Sequence, residues 1–198
     1  MDILTAFGLS SSAGLNAYLP LLVVALLARF TNLIHLHDPW TALASGWTIA
    51  VLVILLIIET VADKVPAVNH ANDVLQTLVR PAAGAILFAA SSNVVTDIHP
   101  VLAMVLGLLA AGSVHAVKSV AIRPAVTAIS AAPSAGLATL PANIAVSTLE
   151  DITAIATSLV AVIVPAILAV VLLVAVVTIA WWLLNQQQAR HRANSGSA

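Results

Sequence analysis

Glu59 and Asp63 stand four residues apart. On a helix they share one face, where two carboxylates repel unless a cation, a basic side chain or a proton lies between them. Lys64 follows at once. Further along, Ala103, Gly107, Ala111, His115 and Ser119 recur every four residues. That stripe of small side chains lets one helix approach another closely and present His115, with Lys118 beside it, to its neighbour. Arg80 and Arg123 each precede Pro-Ala, which predicts both just outside a helix starting at the proline. A cation there opposes the helix dipole, so each arginine calls for a carboxylate or an anionic ligand. Ser147-Thr-Leu-Glu150 reads as a capping box, which predicts a helix starting at Thr148 with Glu150 and Asp151 in its first turn. With Asp73, these make nine of the fifteen charged side chains (seven Lys and Arg, eight Asp and Glu). Two uses compete for them: a structural ion-pair network, which the near balance of five acids and four bases suits, and a binding or proton-carrying site at membrane depth.

A second group of candidates is conformational. Ser10-Ser-Ser-Ala-Gly14-Leu-Asn16-Ala-Tyr18-Leu-Pro20 sets small and polar residues inside the first apolar stretch, marking Ser12, Gly14, Asn16 and Pro20. Ser134-Ala-Gly136-Leu-Ala-Thr-Leu-Pro141 repeats its Ser-Ala-Gly-Leu and Leu-Pro elements, marking Ser134, Gly136 and Pro141. Interrupted helices in the two halves of a transporter free backbone groups to line a cavity. The competing use of the same small residues is close helix packing.

The elements that position these groups follow from composition. The chain has 198 residues, 61% hydrophobic and 8% charged, against about 25% charged in a soluble domain. The apolar residues lie in long runs such as Trp47 to Ile58 and Leu159 to Leu184, without the period-2 alternation of a membrane barrel. An all-α, polytopic transmembrane bundle is predicted, with about six spans near 3–30, 46–64, 81–96, 100–118, 145–164 and 166–185. Pro165 divides the last two, because one helix through both would be about 60 Å long, twice the membrane thickness. Residues 1–184 form one predicted transmembrane domain, and the polar tail 185–198 is predicted to be disordered.

With the N-terminus inside, Lys64, Arg80, Lys118, Arg123, Arg190 and Arg192 are cytoplasmic and Arg29 alone is outside, the bias of a multi-pass protein with both termini in the cytoplasm. Trp40 and Trp47 then sit at the outer interface and Trp181 and Trp182 at the inner one. No basic n-region precedes the first stretch, so no cleavable signal is predicted.

The remaining signals are weaker. His35-Leu-His37-Asp38 has the residue types for a divalent metal but reads as a surface loop, and His99 before Pro100 reads as a helix-starting residue. Asp73 to Val79 is predicted to lie along the inner surface as a short amphipathic helix, with His70 and Asn72 just ahead of it. There is no cysteine and the net charge is −1, so neither thiolate chemistry nor a nucleic-acid partner is expected. No nucleotide loop, zinc-protease motif or nucleophile elbow is present.

Ser12-Ala-Gly-Leu-Asn-Ala-Tyr-Leu-Pro-Leu-Leu22, Glu59-Thr-Val-Ala-Asp-Lys-Val-Pro66, Arg80-Pro-Ala-Ala-Gly84, His115-Ala-Val-Lys118, Arg123-Pro124 and Glu150-Asp151 together resemble a bacterial multi-pass membrane family catalogued as a domain of unknown function. The likeness spans roughly Leu4 to Leu184 and implies one six-span-like domain, without an activity. Asn16 stands where many relatives are expected to carry a basic residue. The expected function is a small transporter or channel-like protein of the inner membrane, without catalytic residues, cofactor or metal, whose substrate is an ion, a polar solute or a lipid head group. A non-catalytic scaffold or accessory subunit is the alternative. A lipid-modifying enzyme using His115 with Glu59 or Asp63 as acid and base is a third.

Overall fold

The structure is a computed structural model that describes residues 3–64, 66–92, 98–119 and 144–165 and, beyond them, 174, 177, 178 and 181. Side chains are described for all of these except 63, 64, 66–71, 73 and 92. The chain divides into two compact units, Met1–Val162 and Ile163–Ala198, and the site lies within the first.

The described part is helical. The first apolar stretch is not one span but two 13-residue helices, α1 (Ile3–Leu15) and α2 (Tyr18–Phe30), parted at Asn16 and Ala17. A short 3-10 helix, Trp40–Ala44, leads into α3 (Gly46–Lys64), which matches its predicted span to the residue. α4 (Pro66–Ser92) and α5 (Pro100–Val117) follow, and α6 covers Ile144–Pro165. By length and composition three helices suffice to cross a membrane, over Val74–Ser91 of α4, α5 and α6, while α1, α2 and Gly46–Ala62 of α3 are shorter apolar helices.

Three predicted boundaries are corrected. Pro81 does not start a helix with Arg80 outside it: α4 runs through Pro81, so Arg80 lies mid-helix. The ring forfeits one intrahelical hydrogen bond, a loss that packing against neighbouring helices absorbs. For the same reason the predicted surface helix at Asp73–Val79 and the span predicted at 81–96, as far as Ser92, are one 27-residue element. Ser147 does not cap a start at Thr148, because α6 is already helical from Ile144 and Ser147 lies buried within it. The turn at Pro165 and the 185–198 tail fall outside the described residues.

Packing follows side-chain size. α1, α4 and α5 lie against one another, and α2 packs against α3 and the 3-10 helix. The buried residues of α5 are Ala103, Gly107, Ala111 and His115, the small-residue stripe of the sequence. It meets α4 at Gly84, where a methyl on Gly107 would overlap the Gly84 carbonyl oxygen and lie 2.6 Å from Phe88 Cβ. Only glycine at both positions permits that approach. Phe88 in turn meets Phe7 of α1 edge-to-face, ring centres 4.8 Å apart. The opposite face of α5 exposes Val101, Leu102, Val105, Leu108 and Leu109, an apolar surface suited to lipid. His99 caps α5 as predicted, its Nδ1 accepting from Val101 N at 3.3 Å ahead of Pro100.

Candidate functional site

The site is built around the gap between α1 and α2. A helix end exposes carbonyls that no later turn satisfies. At the end of α1 two cations from other helices take up that role: Arg80 NH1 donates to the Gly14 carbonyl at 3.5 Å and Lys118 Nζ to the Leu15 carbonyl at 3.4 Å. Positive charge at a helix C-terminus is also favoured by the dipole. The start of α2 is met by Asn16 itself, whose Oδ1 accepts from Tyr18 N and Leu19 N, each at 3.0 Å. This is capping by a short amide side chain, and it explains why the chain turns here without a glycine. Asn16 Nδ2 then donates to Asp151 Oδ1 of α6 at 2.9 Å.

Both cations carry a carboxylate partner. Arg80 NH2 lies 3.1 Å from Glu59 Oε1 of α3, with both side chains 1% exposed. Lys118 pairs with Glu150 of α6, whose side chain is 11% exposed. His115, on the α5 stripe, places Nδ1 3.5 Å from Arg80 NH1 and Nε2 3.3 Å from Thr77 Oγ1 and 3.5 Å from Ser119 Oγ. Facing a donor, Nδ1 accepts, which leaves the ring proton on Nε2 toward the hydroxyls. Tyr18, at the head of α2, lies within electrostatic reach of Glu59 and Arg80 and within hydrogen-bonding reach of Gln76.

Small hydroxyls fix α1 between α4 and α6. Ser10 Oγ donates to the Gly84 carbonyl at 2.9 Å, Thr5 Oγ1 to the Ala161 carbonyl at 2.9 Å, and Ser12 Oγ to the Ala154 carbonyl at 2.7 Å, with Ser158 Oγ 2.8 Å away. Ser12 therefore anchors the segment ahead of the gap, and Gly14 leaves room for α5: a methyl there would lie 2.6 Å from Val114 Cβ.

Of the residues singled out in the sequence, Glu59, Arg80, His115, Lys118, Glu150, Asp151, Ser12, Gly14 and Asn16 thus converge on one junction. Pro20 sits buried in the first turn of α2, where its missing N–H costs nothing. Asp63 and Lys64 end α3, with their side chains outside the described set. Arg123, Ser134, Gly136 and Pro141 are outside the described residues altogether. Sequence reasoning missed Gln76, Thr77 and Ser10. Gln76 and Thr77 stand about one helical turn before Arg80, a signal hidden by the expectation of a helix boundary at Pro81.

The arrangement holds charged and polar groups away from water. Arg80 stands between Glu59 and His115 and bonds both, so that acid and base do not face one another. Among the described residues no group of three His, Cys, Asp or Glu could hold a metal ion; His35, His37 and Asp38 lie on an exposed loop. The buried atoms with no hydrogen-bond partner among the described residues include Gln76 Oε1, Arg80 Nε, Ser91 Oγ and Ser147 Oγ.

No curated protein and no solved structure matches the chain. A family model does, over residues 3–186, nearly its whole length and all of the junction. On that match the chain belongs to the family described as Domain of unknown function (DUF4126).

Proposed function

We propose that this protein is a multi-pass protein of the inner membrane, with both termini in the cytoplasm, and that it is a small transporter or channel-like protein rather than an enzyme. Its solute is an ion, a polar molecule or a lipid head group, handled at the α1–α2 gap. One observation carries the reading: a helix interrupted among apolar spans, its freed carbonyls held by Arg80 and Lys118, each of them paired to a carboxylate on another helix. Ionisable groups at such depth are costly and mark solute pathways. Two ion pairs closing on one gap can exchange partners with a solute.

The burial of the Arg80–Glu59 pair favours a second reading, a scaffold in which the pairs only staple helices together. A thermal-shift screen of the purified protein in detergent separates the two. The panel comprises divalent cations, phosphate-bearing lipids and small polar solutes, on wild type and Glu59→Gln. Transport predicts stabilisation by one class, lost in the variant. A scaffold predicts no ligand response, with Glu59→Gln simply less stable than wild type.

A further inference from the structure

Two of the hydrogen bonds that the gap lacks can be named. A helix running unbroken from α1 into α2 would pair Tyr18 N with the Gly14 carbonyl and Leu19 N with the Leu15 carbonyl. In the structure each of these four groups has a side-chain partner instead. Asn16 Oδ1 accepts from both amides at 3.0 Å, Arg80 NH1 donates to the Gly14 carbonyl, and Lys118 Nζ donates to the Leu15 carbonyl. Three side chains therefore stand in for two backbone bonds.

The backbone at the break stays close to a helix. Asn16 N keeps the helical bond to the Ser12 carbonyl at 3.2 Å, and Ala17 has helical angles, φ −70° and ψ −40°. Neither residue is a glycine or a proline. Pro20 could not bond the Asn16 carbonyl, but α4 already runs through Pro81 at the same cost. The hold on the two carbonyls is also loose. Arg80 reaches one at 3.5 Å and Lys118 the other at 3.4 Å, beyond the about 2.7–3.2 Å of an ordinary N–H···O bond. On letting go, neither cation loses its ion pair, since Arg80 keeps Glu59 and Lys118 keeps Glu150.

We infer that the α1–α2 gap is a two-state joint. In the state described above, Asn16, Arg80 and Lys118 hold the four backbone groups apart; in the other, those groups pair with one another and the first apolar stretch becomes a single helix. The joint ties the line of α2 to the partners of two buried cations. It goes beyond the transport reading and does not depend on it.

The test is amide hydrogen exchange on the full-length chain in detergent, read at Tyr18 and Leu19, with buried Val24 of α2 and Leu87 of α4 as references for folding. Asn16→Ala bares both amides while the cations still hold the carbonyls, so their exchange should be roughly tenfold faster than in wild type. Adding Lys118→Met with Glu150→Gln frees the Leu15 carbonyl without leaving Glu150 charged and unpaired. The joint can then close, and exchange at Leu19 should fall back toward the wild-type rate. A rigid gap predicts the opposite sign, because each support removed only loosens it further. Exchange at Leu19 in the folded triple variant as fast as in Asn16→Ala therefore overturns the inference, as does unaltered exchange in Asn16→Ala itself. If the triple variant does not fold, Asn16→Ala with Glu59→Gln and Arg80→Met frees the Gly14 carbonyl in the same way, and Tyr18 gives the reading. Failure of both combinations to fold also overturns the inference, since a joined helix needs neither cation on its carbonyls.

Discussion

The first apolar stretch breaks at Asn16–Ala17, where there is no proline, while α4 continues without a break through Pro81. The placement of proline alone would reverse these outcomes. The difference lies in what surrounds each point. At the gap, Arg80, Lys118 and the Asn16 side chain take up the backbone groups that an interruption frees. At Pro81 only one bond is forfeited, and the helix is gripped on both sides: Ser10 of α1 bonds the Gly84 carbonyl, and Gly107 of α5 lies against Gly84. In an apolar medium a helix is interrupted where partners for its backbone exist, and not simply where its own residues favour a break.

Removing the partners should break this comparison most severely. Arg80→Met leaves Glu59 buried without its ion-pair partner and Gly14 without its capping cation, and should cost about 3–5 kcal/mol. Adding Glu59→Gln should recover a large part of that. Unfolding in mixed micelles by graded denaturing detergent measures both, and a loss below 1 kcal/mol for Arg80→Met would show that the gap does not depend on its cation. Next in size is Asn16→Ala, which removes the cap of α2 and the link to Asp151. A loss of about 1–2 kcal/mol is expected in the same assay, with faster hydrogen exchange at Tyr18 and Leu19. Smallest is Pro81→Ala: with α4 continuous already, the change should fall within about 0.5 kcal/mol of wild type, and a large stabilisation would mean that Pro81 strains the helix after all.

Much of the fold was legible in the residues. α3 and α5 follow from apolar run length, the buried face of α5 from a four-residue period, and the interruption near Gly14 from Ser, Gly and Asn at membrane depth. These are local signals, each contained in one element. What failed to read correctly was either a local rule overridden by packing or a pairing between distant elements. Pro81 and the Ser147–Glu150 box are of the first kind: the motifs are present, but the helices around them are held by neighbours. The partners of Arg80 and Lys118 are of the second kind. The spacing sets Glu59 against Asp63 on its own helix and gives Glu150 to capping; neither reveals that Arg80 takes the one and Lys118 the other. Glu59, Arg80, Lys118, Glu150 and Asp151 were legible as members of a charge cluster and Ser12, Gly14 and Asn16 as an interrupted segment, but not that the two meet at one junction.

The gap also has a consequence for biosynthesis. α1 and α2, at 13 residues each, are about 20 Å long, and neither alone covers the roughly 30 Å of hydrocarbon. The groups that hold them apart arrive late in translation: Arg80 is 66 residues beyond Gly14, Lys118 is 103 beyond Leu15, and Asp151 is 135 beyond Asn16. A nascent chain that has yet to produce α4 lacks every one of those side chains. Until α4, α5 and α6 emerge, the break has only the Asn16 side chain to meet its freed backbone groups, so that helices made later complete the shape of the first.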